Sequence, residues 1–312
     1  MQPVAFIVER IFMEKLNFNN TDIESSRLIY GCMRIADDKA KGKLAIRAAI
    51  EAGYNHFDHA DIYGGGVSES LFGELLTESP ELRDSMIITS KAGIRPRSDE
   101  ADYAPTRYDF SQKYLLESVE GSLQRLGIEQ LDMFLLHRPD FLMDAKAVAE
   151  TFALLKASGK VKHFGVSNFL PSQVEMLRSK MSMPLVVNQV EINIHNIDSL
   201  LNGTLDQCQQ SGITPIAWCP LGGVAYSAWG NTFSIADEQR IENELSQQAQ
   251  KYNCQPWQVI LAWLLIHPAK IFPIIGSTTP ARIQAAKLAL ELDYSREDWY
   301  RLFEARNGQT VP

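Results

Sequence analysis

Four side chains that can hold or move a proton follow short apolar runs in the first half of the chain. Asp58 ends the run HFD, Lys91 ends IITSK and His137 ends FLLH. Tyr63 lies five residues beyond Asp58. A phenol has an ordinary pKa of about 10 and is a poor acid near neutrality, but a neighbouring ammonium group favours the phenolate and makes proton donation easier. The set therefore predicts a proton-donating site.

The other members of the set have complementary roles. A carboxylate at Asp58 would keep Lys91 charged and oriented, because burial alone pushes a lysine toward its neutral form. His137 would hold a substrate oxygen by hydrogen bonding. Each residue also has a structural interpretation: Asp58 as a loop cap, Tyr63 as packing, Lys91 as a counter-ion, His137 as a loop support. Four such groups at neighbouring run ends favour a shared catalytic site.

Eight short runs rich in Val, Ile and Leu alternate with helix-periodic segments along the chain. The runs cover residues 27–31, 56–58, 86–91, 133–137, 163–168, 185–191, 214–218 and 271–276. No hairpin turn is visible between them, which predicts parallel strands joined by helices. The first run is not followed by the GxGxxG of a Rossmann unit. The count of eight therefore favours an α/β fold of the (β/α)8 barrel type, forming a single domain.

In such a barrel the carboxyl ends of all strands meet at one rim. Polar residues end many of the predicted strands: Asp58, Lys91, His137, Ser167, Asn168 and Gln189. The two longest loops, 92–110 and 219–235, are predicted to form walls of the active site. Four apolar or aromatic residues, three of them on these loops, are candidates for lining a substrate pocket: Met33, Tyr103, Tyr108 and Trp229.

Composition narrows the function classes. The chain has 312 residues with 30 basic and 38 acidic side chains, and a net charge of −8 argues against a nucleic-acid-binding function. No apolar stretch is long enough to span a membrane. The four cysteines show no CxxC spacing, which is typical of a reducing compartment. The run PVAFIV is followed by Glu9 and Arg10 and makes a poor signal peptide, so a cytoplasmic protein is expected.

The chain divides into two parts. Residues 1–26 form a predicted N-terminal extension, and residues 27–312 form the barrel with a C-terminal helix. Because MEKLNFNN from Met13 is typical of a natural start, residues 1–12 are expected to lie outside the barrel core. In the alternative, PVAFIVERIF packs as an edge strand or as a plug under the barrel.

From about residue 27 to 284 the sequence resembles the aldo-keto reductase family. The matching segments are FDHADIYGGGVSE, ITSKAGI, LDMFLLHRPD, GKVKHFGVSNF, VVNQVE and PIIGSTTPARI. The resemblance implies a catalytic tetrad of Asp58, Tyr63, Lys91 and His137. It also implies reduction of aldehydes or ketones to alcohols by hydride transfer from NADPH, with Tyr63 as the proton donor. Neither the physiological substrate nor the oligomeric state follows from it.

The resemblance assigns cofactor contacts to a further set of residues: Gly31, Cys32, Met33, Ser167, Asn168, Gln189, Trp218, Gly276, Ser277, Thr278, Thr279 and Arg282. Hydroxyl and amide groups suit a neutral carboxamide, and a helix N-terminus with an arginine fork suits a phosphate. Structural alternatives remain for three of them: Asn168 as a cap of the helix near Pro171, Trp218 as core packing, and Arg282 as a surface ion-pair partner.

The chain departs from the family at the cofactor site in two places. Ala285 and Ala286 stand where many members have Glu and Asn that hold the adenine, so adenine contacts are expected to be fewer. Cys219 replaces the commoner serine after the stacking aromatic residue, which removes one expected pyrophosphate contact.

Three rival functions are less consistent with the sequence. A metal-dependent hydrolase would use His56, Asp58 and His59, but strand alternation places His59 away from the other two. A Schiff-base aldolase would use Lys91 without the rest of the tetrad. A cofactor-binding regulatory subunit with little turnover would retain the tetrad, and some relatives resemble redox sensors attached to channels. An enzyme acting on small carbonyl compounds, with no metal, nucleic-acid or membrane partner, is the favoured hypothesis.

Overall fold

A computed structural model of the protein describes residues 12–97, 104–222 and 233–312. Its strands are β1 (Lys15–Asn17), β2 (Glu24–Ser26), β3 (Ile29–Gly31), β4 (His56–Asp58), β5 (Ile87–Ala92), β6 (Ile94–Arg95), β7 (Arg107–Tyr108), β8 (Leu131–Leu136), β9 (Val161–Ser167), β10 (Leu185–Glu191), β11 (Thr214–Trp218) and β12 (Phe272–Ile275). Eight of them, β3, β4, β5 and β8–β12, close into a parallel barrel in chain order, with β12 paired to β3. Each predicted run corresponds to one barrel strand, so the (β/α)8 prediction is confirmed.

Helices surround the barrel on its outer side. They are α1 (Lys39–Glu51), α2 (Val67–Glu78), α3 (Gln112–Leu126), α4 (Ala145–Ala157), α5 (Pro171–Arg178), α6 (Asp198–Leu201), α7 (Thr204–Ser211), α8 (Ile235–Lys251), α9 (Pro256–Leu265), α10 (Pro280–Ala285) and α11 (Arg296–Asn307). Side chains that precede a helix accept hydrogen bonds from its first turn, as Asp38 does from Lys41 N and Ser111 from Tyr114 N. These caps fix where the helices begin.

Two short antiparallel hairpins outside the barrel were not predicted. β1 pairs with β2 below the barrel, and β6 pairs with β7 within the long loop after β5. Strands of two or three residues are too short to show the alternation by which a strand is recognised in a sequence.

The β1–β2 hairpin closes the amino end of the barrel. Phe18, which is 1% exposed, packs edge-on against Phe272 at 4.8 Å between ring centroids and also contacts His56. Phe12 is 80% exposed, whereas residues 1–11 of the predicted extension lie outside the described residues. No helix in the described ranges is long and apolar enough to cross a membrane.

Candidate active site

The structure brings the four predicted proton-handling residues together at the carboxyl end of the barrel. Lys91 Nζ donates to Asp58 Oδ2 and to the carbonyl oxygen of His59, both at 2.7 Å, and the ion pair is buried. The ammonium nitrogen lies 5.1 Å from the centre of the Tyr63 ring. The rings of Tyr63 and His137 meet edge-to-face at 5.9 Å between centroids.

The turn that carries Tyr63 depends on glycine. Tyr63 begins a short 3₁₀ turn, Tyr63–Gly66, in which Gly64, Gly65 and Gly66 have φ values of +57°, +62° and +92°. Residues with a Cβ rarely adopt this left-handed backbone, so the glycines let the chain reverse directly into α2. The phenol ring is thereby held above the ends of β4 and β5.

Burial controls the charge states of the other tetrad members. It lowers the pKa of Lys91, while the Asp58 carboxylate opposes that shift and favours the ammonium form. Burial, together with the positive charges of Lys91 and Arg138, holds the pKa of His137 well below its ordinary value. His137 is therefore a neutral imidazole, which can donate a hydrogen bond without competing as an acid. Its buried Nδ1 has no hydrogen-bond partner among the described residues.

Gln189 makes a contact that sequence reasoning missed. Its amide Nε2 donates to Asp58 Oδ1 at 2.8 Å, so each carboxylate oxygen of Asp58 accepts a hydrogen bond from a different strand. Both residues are buried, at 2% and 3% exposure. The second bond fixes the plane of the carboxylate, and with it the direction in which Lys91 points.

The remaining residues predicted to hold a carboxamide form a chain of hydrogen bonds along the rim. Ser167 Oγ donates to the carbonyl of Gln189 at 2.8 Å, and Asn168 Nδ2 donates to Ser167 Oγ at 2.9 Å. Trp218 Nε1 donates to Asn168 Oδ1 at 2.9 Å. The alternative of Asn168 as a helix cap is wrong, because α5 is preceded by Leu170 and Asn168 lies further back with φ +62°.

Of the first segment predicted to contact the cofactor, residues 31–33, not every side chain is exposed at the rim. Gly31 ends β3, and Met33 is 39% exposed on the 3₁₀ turn that follows. The Cys32 side chain is fully buried in the core, where burial raises the pKa of its thiol well above the ordinary value. Its N–H donates to the carbonyl of Asp58 and its carbonyl accepts from Ser68. Cys32 thus supports the backbone near the tetrad instead of presenting its thiol.

The predicted phosphate segment follows β12. A Cβ at Gly276 would meet no atom within 4 Å, so there is open space at this point of the rim. Tyr30 Oη donates to the carbonyl of Ser277, and Thr279 N donates to Ser277 Oγ. Thr278, between them, is half-buried.

Arg282 lies in the first turn of α10, and its side chain is exposed. No ion pair of its guanidinium occurs within residues 12–97, 104–222 and 233–312, so the surface ion-pair interpretation finds no partner there. At the adenine positions, Ala286 is buried, and the half-buried Ala285 uses its carbonyl to accept from Gln258.

Candidates for the substrate pocket are only partly described. Tyr103 and Trp229 lie outside the described residues. Tyr108, on β7, is half-buried, and its ring lies 6.2 Å from that of Phe141. Phe141 is 88% exposed in the loop after His137, a position that sequence reasoning missed because that loop is short and its course is not set by periodicity.

The histidines flanking Asp58 do not assemble a metal site. His56 Nδ1 lies 3.0 Å from Ser25 Oγ and its Nε2 lies 2.7 Å from Thr89 Oγ1. His59 faces the helical layer and packs edge-on against Phe72. In the part of the chain that the structure describes, no group of three or more His, Cys, Asp or Glu side chains is arranged to hold a metal ion.

Comparison with known proteins places these features in a family. The sequence profile of the Aldo/keto reductase family matches residues 27–307. The chain is 40% identical to the uncharacterized oxidoreductase YcsN of Bacillus subtilis over 298 residues, covering 93% of this chain and 97% of that protein. It is 39% identical to a 6-dehydroglucose reductase of Agrobacterium fabrum over 296 residues, with coverage of 93% and 97%. The solved structure of the thermostable aldo-keto reductase Tm1743 with epalrestat has a TM-score of 0.78 at 26% identity, with coverage of 94% and 100%.

Proposed function

Because the chain belongs to the aldo/keto reductase family, we propose that it reduces aldehydes or ketones to alcohols with NADPH, using Tyr63 as the proton donor. One observation carries the proposal: the buried Lys91 ammonium is fixed on Asp58 and lies 5.1 Å from the Tyr63 ring. A cation at this distance stabilises the negative charge that the phenol acquires as its proton leaves.

The residues on the rim fit a nicotinamide cofactor. Asn168 and Ser167 offer amide and hydroxyl groups beside the tetrad, and Trp218 presents an aromatic ring whose orientation is held by its bond to Asn168. Gly276 borders open space, and Arg282 is exposed six residues further along the chain. The amide and hydroxyl groups suit a carboxamide, the Trp218 ring suits the aromatic ring of a nicotinamide, and Arg282 beside a helix N-terminus suits a phosphate. When bound, the cofactor supplies the hydride that reduces the carbonyl carbon.

The protein's own residues handle the proton and the substrate oxygen. Tyr63 gives its hydroxyl proton to the carbonyl oxygen, and the resulting phenolate is stabilised by Lys91. Asp58 and Gln189 keep Lys91 in place through their paired hydrogen bonds. The neutral imidazole of His137 orients the substrate oxygen by donating a hydrogen bond.

Preference for the phosphorylated cofactor is assigned to Arg282. NADPH and NADH differ by one 2′-phosphate, so discrimination requires a group that meets that phosphate. The exposed guanidinium of Arg282 offers a planar fork for phosphate oxygens, and Ser277, Thr278 and Thr279 lie on the same turn. Equal affinity for the two cofactors would contradict this assignment.

The proposed activity is tested by following NADPH oxidation with a panel of aldehydes and ketones. Sugar aldehydes belong in the panel because one relative is named as a 6-dehydroglucose reductase. We expect turnover with at least one compound, and its loss in Tyr63→Phe. Tight NADPH binding without turnover across the whole panel would instead indicate a cofactor-binding regulatory subunit and would overturn the proposal.

A further inference from the structure

The catalytic tyrosine is connected to the barrel by a segment of only a few residues. Residues 59–63 run from the end of β4 to Tyr63, alongside β5. His59 N donates to the carbonyl of Thr89 at 2.8 Å, and Asp61 N donates to the carbonyl of Lys91 at 3.0 Å. Tyr63 N then donates to the carbonyl of Ala60 at 3.1 Å, closing the turn. Any displacement of this segment therefore moves the phenol relative to Lys91.

The side chain of Asp61 leaves the barrel and enters the layer between the barrel and helices α2 and α3. Tyr114 Oη, on α3, lies 3.5 Å from Asp61 Oδ2 and 3.2 Å from the carbonyl oxygen of Ile94 on β6. Asp61 Oδ1 is buried and has no hydrogen-bond partner among the described residues. The tetrad does not use this carboxyl group, yet it sits two residues before the proton donor.

We propose that Asp61 is a positioning residue that anchors the segment carrying Tyr63 to helix α3. The anchor joins the segment 59–63, helix α3 and the β6–β7 hairpin, because the Tyr114 hydroxyl on α3 contacts both Asp61 and the carbonyl of Ile94 on β6. The inference rests on the proposed function, since it matters only if Tyr63 is the proton donor.

The charges around Asp61 predict that an amide can replace it. On α2, Glu69 is fully buried, and its carboxylate binds Arg125 of α3 at 2.8 Å and Ser90 of β5 at 2.5 Å. Burial and, to a smaller extent, the Glu69 charge raise the pKa of Asp61 to about 7, against the opposing effects of Arg125 and of hydrogen bonds from Ile62 N and the Ser118 side chain. A large fraction of Asp61 is therefore neutral near pH 7, and asparagine has the same shape and keeps both a donor and an acceptor.

Three variants test the anchor with one carbonyl substrate from the panel. Asp61→Ala removes the anchoring side chain, and Asp61→Asn retains its shape and hydrogen-bonding groups. Tyr114→Phe removes only the hydroxyl on α3 that contacts Asp61. A misplacement of about 1 Å at a reacting group costs on the order of 10²-fold in rate, so we expect kcat of Asp61→Ala to fall at least about tenfold. KM and the NADPH dissociation constant, measured by tryptophan fluorescence, should stay within about twofold.

We expect Asp61→Asn to recover kcat to within about threefold of the wild type, and Tyr114→Phe to lower kcat less than Asp61→Ala does, again at unchanged KM. Asp132→Ala serves as the matched control. Asp132 is also half-buried, but it accepts from Ile88 N and pairs with Arg83 away from Tyr63. The Asp132→Ala variant should have a lower thermal stability and an unchanged kcat.

The outcomes separate this inference from the proposed function. A wild-type protein that reduces no carbonyl compound removes the proposed function itself. With an active wild type, an unchanged kcat in Asp61→Ala overturns the anchor, and so does an Asn variant as impaired as the Ala variant. If Asp61→Ala does not fold, an unchanged kcat in Tyr114→Phe overturns it.

Discussion

At the amino end of the barrel His56 is fully buried and both of its ring nitrogens are hydrogen-bonded, whereas at the carboxyl end the buried Nδ1 of His137 has no partner among the described residues. The same contrast holds for the cations. Arg27, at the amino end, is buried and donates to the carbonyls of Ile271 and Leu265, while Arg282 at the other end is exposed. His56 and Arg27 at the amino end are thus satisfied by the protein itself, whereas His137 and Arg282 at the carboxyl end keep polar atoms for which the described residues supply no such partner.

This comparison predicts that substitutions at the amino end change stability and that substitutions at the carboxyl end change activity. The largest free-energy effect is expected for Phe18→Ala, because it removes a buried ring packed against Phe272. Such substitutions cost about 3–5 kcal/mol. Urea unfolding should show that loss, while Phe12→Ala at an exposed position should stay within about 0.5 kcal/mol of the wild type. The comparison fails if folded Phe18→Ala also loses kcat at low temperature.

The second largest effect is expected for Tyr63→Phe, which removes the proposed proton donor but keeps the ring. Reduction should fall by about a hundredfold or more, and NADPH binding should survive. Tyr54→Phe is the matched control, because the buried Tyr54 hydroxyl donates to the carbonyl of Ile283 in the helical layer and not to a member of the tetrad. Steady-state turnover of Tyr63→Phe within about threefold of the wild type under chemistry-limited conditions would show that another group donates the proton.

A smaller effect is expected for Arg282→Ala. A charge-assisted hydrogen bond contributes roughly 1.5–3 kcal/mol, so the wild type should prefer NADPH by at least about tenfold and the variant should largely lose that preference. NADH affinity should change little. Titration by tryptophan fluorescence measures both, with the exposed Arg296→Ala as control. A variant that loses both cofactors alike would indicate that Arg282 supports the loop.

The smallest effect at neutral pH is expected for His59→Leu, since both ring nitrogens of His59 are buried without partners among the described residues. Burial lowers the pKa values of His56 and His59 to about 3, below the unfolded value of about 6.5. The unfolded chain therefore binds more protons between these values, and stability falls as pH drops from about 6.5 toward 3.

Because His59→Leu removes one group that takes up a proton on unfolding, the free energy of unfolding should fall less steeply with decreasing pH. The slope should decrease by about 1.4 kcal/mol per pH unit between pH 4 and 6 in denaturant titrations. At pH 7.5 its stability should lie within about 1 kcal/mol of the wild type. His56→Leu should instead destabilise at all pH values, because it removes the side-chain partner of the buried Thr89 hydroxyl and leaves Ser25 Oγ with only the Ser26 carbonyl among the described residues. An unchanged pH slope in His59→Leu would mean that His59 is protonated in the folded protein.

Whether a structural feature could be predicted from the sequence depends on how far apart in the chain the interacting residues lie. The strands and the positions of Asp58, Lys91 and His137 followed from local apolar runs that end in a polar residue. The bond between Gln189 and Asp58 joins residues 131 positions apart and depends on the rotamers of both side chains, which no local pattern encodes. The β1–β2 hairpin is too short for its alternation to be recognised.

That the Cys32 side chain points into the core could not be predicted from the sequence for a related reason. The residue lies between β3 and a 3₁₀ turn that begins at Met33, so the direction of its side chain is set by the turn and not by strand alternation. Asp61 was passed over because nothing in the segment HADIY distinguishes a carboxyl group facing the helices from one facing solvent. Only the packing of α3 against the segment reveals the difference.

The seam between the first and last barrel strands has a consequence for how the chain folds. β12 pairs with β3 through Ile274 with Ile29 and Ile275 with Tyr30, and Arg27 reaches Ile271 across 244 positions of sequence. Closing so long a loop is entropically costly, and contacts of this range slow folding. During synthesis the seam must wait until β12 has emerged. A ribosome-bound chain lacking β12 would therefore keep an open edge at β3, where pairing with a second nascent chain competes with correct closure.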